Sequence, residues 1–201
     1  MPRADRALAT KLKVYFRPRH RDRGHRMAAS QILDYRGQVF INFRDYTFDD
    51  PAAHGYRWVD GKRFDLRSPA VDDMTLLSAV IRHDQFRDDY AGGGVDPQGT
   101  RHGPYQLEHI TPEAFEPVDG PTSTAMLAAW ADQHGEVPEQ LAATLFREVF
   151  EPVRQATGRY GLKNLGRTAF HDWGGVNTDF HELILIDRTA GSLTLIVAAD
   201  D

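Results

Sequence analysis

The sequence predicts an α+β fold: a mixed or antiparallel sheet, with about three helices inserted between N-terminal strands and a C-terminal β-hairpin. Two observations carry that expectation. Strand-like runs lie towards both ends of the chain and helix-like runs in its middle, a segregation unlike the regular alternation of a doubly wound sheet. In addition, Leu183-Ile184-Leu185-Ile186 and Leu193 with Leu195-Ile196-Val197 are apolar on consecutive positions, so each strand is expected to be covered on both faces and central in its sheet.

Residues 1–26 read as a basic N-terminal arm or first strand, and residues 27–201 as a single α+β domain. Within the arm, Leu12, Val14 and Phe16 alternate with Lys11, Lys13 and Tyr15, the period of a half-buried strand. Arg17, Arg19, Arg21, Arg23 and Arg26 follow in a polar stretch containing Pro18, which predicts an exposed loop. Gln38 to Phe43 is a second strand candidate, rich in β-formers and opened by Gly37. Tyr56 to Leu66 reads as a hairpin. Asp60-Gly61 suits a type I′ turn, in which both residues need positive φ, and Tyr56, Trp58, Phe64 and Leu66 fall on alternating positions of the two arms.

Ser68 and Pro69 then fit the N-cap and first position of a helix, with Asp72 and Asp73 where the helix dipole favours negative charge. Its apolar stripe is Val71, Met74, Leu77 and Ile81, and its end is expected near Tyr90, before Gly92-Gly93-Gly94. From there to about Pro121 the chain is rich in Gly, Pro and His, which predicts a long surface excursion with a short strand within Tyr105 to Ile110. Thr122-Ser123-Thr124 offer caps for a second helix through Trp130, closed by Gly135. Pro138 opens a third helix, which Pro152 should kink or restart. Gly158, Gly161 and Gly166 punctuate a basic connection to the closing hairpin, whose turn spans Arg188 to Ser192. Tyr56, Trp58, Phe64, Trp130 and Phe150 sit at core periodicities and are expected inside.

Composition narrows the chemistry. The chain has no cysteine, which removes disulfides, thiolate nucleophiles and cysteine-ligated metal sites, so a metal site must use His, Asp and Glu. No apolar run is long enough for a signal peptide or a membrane span, and the expected setting is cytoplasmic. Four lysines against twenty arginines suit a GC-rich bacterial genome. The net charge of −5 conceals an asymmetry: nine Arg or Lys against Asp5 and Asp22 give the first 26 residues +7, leaving −12 on the rest. Such an arm can contact phosphates or an acidic partner, or fold back on the acidic body.

The densest cluster of reactive side chains runs from His171 to Glu182. Within it His171, Asp172, Asp179, His181 and Glu182 are the candidate catalytic residues, and His171, Asp179 and His181 the candidate ligands of a divalent cation. A His beside a carboxylate also serves as a general base without metal. The spacing matches no standard ligand signature, and in an extended strand His181 and Glu182 face opposite ways unless a bulge intervenes. His83-Asp84 resembles the pair of metal-dependent phosphohydrolases over those two residues alone, and reads as the solvated end of a helix. No GxxxxGK[ST], GxGxxG led by a strand, or G-x-S-x-G occurs. The leading expectation is therefore a non-enzymatic macromolecular interaction or regulatory module with a protein partner. Its alternatives are a small metal-dependent hydrolase or nuclease using the His171 to Glu182 cluster, and nucleic-acid binding through Arg17, Arg19, Arg21, Arg23 and Arg26.

Overall fold

In the computed structural model, which describes residues 32–201, an antiparallel sheet of six strands carries helices on both faces. The strands are β1 (Leu33–Asn42), β2 (Trp58–Leu66), β5 (Phe115–Pro117), β6 (Gly158–Leu162), β7 (Thr178–Asp187) and β8 (Ser192–Asp200), in the spatial order β1-β2-β8-β7-β6-β5. A separate ribbon pairs β3 (Arg101–His102) with β4 (Tyr105–Gln106). The α+β class and the closing β7–β8 hairpin are as expected. So is the central position of that hairpin, since Leu183 to Ile186 and Leu195 to Val197 are all buried.

Both faces are covered because strand residues alternate between two cores. On the first face Phe64, Leu66, Ile184, Ile186, Leu193, Leu195 and Val197 pack beneath helix α1 (Asp73–Arg82) and the segment around Tyr105 and Ile110. On the second, Ile41, Val59, Leu183, Leu185, Ile196 and Ala198 meet helix α2 (Gly120–Ala131) and the third helix. That third helix runs as α3 (Glu139–Leu145), a π turn (Phe146–Phe150) and α4 (Glu151–Gln155). Pro152, which has no N–H to give, sits at the restart just after the wide turn, in line with its expected effect.

Several local expectations are corrected. Asp60-Gly61 is no turn: Trp58 to Leu66 is one strand paired with β1 on one side and β8 on the other. Pairing on both sides outweighs a two-residue turn preference, and Gly61 fits because its Cα lies opposite Val39 and Ile196. Gly37 does not open β1 but follows a bulge after Tyr35. Helix α1 starts five residues beyond Ser68, where the Asp72 carboxylate caps the Thr75 amide at 2.9 Å, and it ends at Arg82. Likewise Asp119, and not the Thr122 to Thr124 group, caps α2, by accepting from Thr122 N at 2.8 Å. The segment read as a surface excursion is partly core, with His102, Gly103, Pro104 and Tyr105 buried. The basic connection at Gly158 forms strand β6. The arm 1–26, with its strand at Lys11 to Phe16 and its five arginines, lies outside the described residues.

Candidate functional site

The five residues singled out in the sequence do not converge on one point. Strand β7 does contain a bulge, but it lies between Thr178 and His181, at Asp179 with φ +45°, and so leaves His181 and Glu182 on opposite faces. His181 pairs with Ala198 and stands edge-on to Trp130 in the second core, where burial lowers its pKa. Glu182 is buried on the first face. Asp172 and Asp179 are exposed. His171 is a fastener: its Nε2–H donates to the Gly103 carbonyl at 2.8 Å and its Nδ1 accepts from the Trp173 amide at 3.1 Å. Among the described residues no three His, Asp or Glu side chains gather as a metal-binding group.

Glu182 belongs instead to a buried polar group that sequence reading missed. Sheet register builds it. Asp60 on β2 and Glu182 on β7 flank Val197 of β8 in one cross-strand row, with Gln38 and Lys62 in the next row on the same face. Lys62 is fully buried, and its ammonium donates to Asp88 Oδ2 at 2.8 Å and to the Gln85 carbonyl at 2.9 Å. Asp60 Oδ2 lies 3.5 Å from the same nitrogen, while Asp60 Oδ1 accepts from Gln38 Nε2 at 2.6 Å. His102, stacked on Phe86 with ring centroids 3.5 Å apart, donates from Nδ1 to the Phe86 carbonyl. Its Nε2 meets Glu182 Oε2 at 2.8 Å.

This geometry fixes the charge count. With Nδ1 of His102 committed as a donor, a 2.8 Å contact between Nε2 and a carboxylate requires one proton between them, so the His102–Glu182 pair is neutral as a unit. Lys62 is matched by Asp88. The group's net charge therefore follows Asp60, whose burial pushes its carboxyl up to about 6 despite Lys62 and Gln38, which favour the ionised form. Tyr90 closes the group from outside. Its ring face covers the Lys62 ammonium at 4.8 Å, its hydroxyl lies among the Asp60, Asp88 and Glu182 charges, and burial with those charges raises its pKa well above normal. Asp60 Oδ2, Tyr90 Oη and Glu182 Oε1 are buried without a well-formed hydrogen bond. Desolvating ions costs several kcal/mol each, and such arrangements concentrate at functional sites.

Tyr90 also joins the buried group to an open cleft of about 840 Å³. Its ring stacks on Trp58 at 5.2 Å, and Trp58 stacks in turn on Phe40 at 5.9 Å. The backbone makes this possible by holding Tyr90 at φ +56°, with its N–H on Asp88 Oδ1 at 3.0 Å. Trp173 and Val176 form the opposite wall, and Arg44, Tyr56, Asp89, Arg101 and Asp201 the rim. Of the six large hydrophobic side chains exposed among the described residues, four line this cleft: Phe40 at 40%, Tyr56 at 59%, Trp173 at 62% and Val176 at 42%. Tyr56 is thus a surface residue and not core, because it precedes β2; the Arg44 guanidinium lies over its ring, 5.5 Å from the centroid. Trp173 does not plug the pocket. His171 holds its amide, and Gly174 lets the loop lie against the Pro104 carbonyl and the Phe170 ring.

One signal pointed to the missed residues. Trp58, Asp60, Lys62, Phe64 and Leu66 keep an unbroken period of two through the Asp-Gly pair, which places Asp60 and Lys62 on the core face. No family model, curated protein or solved structure matches this chain.

Proposed function

We propose that this domain is a non-enzymatic interaction module that holds a protein partner in the cleft between β1–β2 and the 171–176 loop. One observation carries the reading: among the described residues, most of the large hydrophobic side chains left exposed collect in a single concave site, alongside Tyr90, Arg44 and Arg101. Contiguous apolar exposure of this kind marks interaction surfaces, and Trp, Tyr and Arg are the residue types that dominate binding hot spots. The cleft floor is stiffened by stacking of Phe40, Trp58 and Tyr90, so little order need be lost on binding. Four lysines against twenty arginines suit a GC-rich bacterial genome, and a cysteine-free composition suits a cytoplasmic setting.

Panning a random linear peptide library on the intact protein tests the reading. Enriched peptides are expected to lose binding to Trp173→Ala and Tyr56→Ala, both exposed positions whose truncation should leave the fold intact. Peptides that bind these variants as well as the parent, or a library that yields no binder, would refute it.

A further inference from the structure

Resting on that reading of the cleft, we infer that its occupant is cationic: an arginine or lysine side chain from a basic segment of a protein partner. The first support is the lining. Phe40, Tyr56 and Trp173 line the cleft with exposed aromatic surface, and a ring face attracts a cation through its quadrupole. The chain uses rings of this cleft in this way already. Arg44 stands over Tyr56, and the Lys62 ammonium lies 4.8 Å from the Tyr90 centroid on the buried side.

The second support is charge. Arg101 at the rim is answered by Asp89 at 3.8 Å. Asp201 places Oδ1 on the Trp58 indole N–H at 3.0 Å, which keeps its carboxylate at the cleft wall. Beneath Tyr90, the charge of ionised Asp60 is left over once Lys62 pairs with Asp88 and His102 with Glu182. Against these carboxylates stands the rim guanidinium of Arg44, which is exposed and held by its ring contact with Tyr56. On the larger scale, the residues after position 26 carry −12, a field that draws basic segments and repels acidic ones.

Three synthetic peptides distinguish the occupants: one alternating Arg with Gly, one alternating Glu with Gly, and one alternating Leu with Ser. Each is titrated by calorimetry and by tryptophan emission into the full chain and into its Trp173→Ala, Tyr56→Ala and Asp201→Asn variants. The Arg peptide is expected to bind best, and to weaken about tenfold in each of the two aromatic truncations, which change no charge. It is expected to weaken severalfold in Asp201→Asn. Equal binding of the Arg peptide to parent and Trp173→Ala would show attraction to the acidic surface at large, and would overturn the inference. Preference for the Leu or Glu peptide, lost in Trp173→Ala, would also overturn it while leaving the cleft as the interaction site. If no peptide responds to either aromatic truncation, the cleft reading itself falls.

Discussion

Asp60→Asn should uncouple the buried group from pH. In the folded protein burial pushes the Asp60 carboxyl up to about 6, from an ordinary value of 3.8. Between those two values the unfolded chain has released the proton while the folded chain keeps it, so stability falls as pH rises through this window. The loss is complete above about pH 6. A gap of about two pH units corresponds to ~3 kcal/mol at about 1.4 kcal/mol per unit. Asparagine has nearly the same shape, can accept the Gln38 hydrogen bond and has nothing to ionise, so this dependence vanishes in the variant. Lys62 keeps Asp88 at 2.8 Å and the Gln85 carbonyl at 2.9 Å. Urea unfolding of both proteins at intervals from about pH 4 to about pH 8 gives the difference directly, because every other titrating group cancels. The variant should gain on the parent by ~3 kcal/mol across that range, with the change centred between about pH 4 and about pH 6. A flat difference would refute the reasoning. A variant that loses ground at neutral pH would show that ionised Asp60 is a net stabilising partner of Lys62.

Lys62→Met should cost about 3–5 kcal/mol in urea unfolding at neutral pH, because Asp60 and Asp88 are left buried without their counterion. Adding Asp60→Asn and Asp88→Asn should recover most of that loss, since the neutral trio needs no ion pair and the side-chain amide oxygen introduced at position 88 can still accept from the Tyr90 N–H. Gly174→Ala should destabilise strongly and shift Trp173 emission, because the new Cβ would run into the Pro104 carbonyl, whereas Gly175→Ala, with nothing within 4 Å, should leave both unchanged. Leu195→Ala, at the sheet centre with no exposed surface, should cost about 2–5 kcal/mol through lost burial and a residual cavity.

What the sequence made legible follows from which forces are local. The β7–β8 hairpin could be read because unbroken apolar runs have one economical solution, burial on both faces, and Leu183 to Ile186 and Leu195 to Val197 find it. Helix positions were readable from their apolar stripes, and Pro138 marked the start of the third, but the starts of α1 and α2 were not legible. Caps are decided by which of several nearby carboxylates reaches an amide, and Asp72 and Asp119 outcompeted the Ser and Thr candidates. Asp60-Gly61 was misread because turn preference is a two-residue property, while its place in the middle of β2 depends on β8, more than 130 positions along the chain. The polar cluster from His171 to Glu182 was visible as a cluster, yet adjacency in sequence is not convergence in space. His181 and Glu182 are separated by the strand pleat, and His171 is spent on holding its own loop.

The cleft and its buried floor were the least legible parts because their residues meet only in the folded chain. The floor takes one or two residues from each of six places: Gln38, Asp60 with Lys62, Asp88, Tyr90, His102 and Glu182. None of these stands in a motif: Gln38, Asp60, Lys62 and Glu182 are brought together by register between distant strands, and Asp88, Tyr90 and His102 by segments packed on that face of the sheet. Replacing the ions with apolar residues would spare the desolvation cost, and Val197, set between Asp60 and Glu182 in the same row, shows that an apolar side chain fits there. The common neighbour of these ions is Tyr90, held at φ +56° with one ring face on Lys62 and its ring stacked on Trp58, so the buried group fixes the position of a ring that lines the cleft.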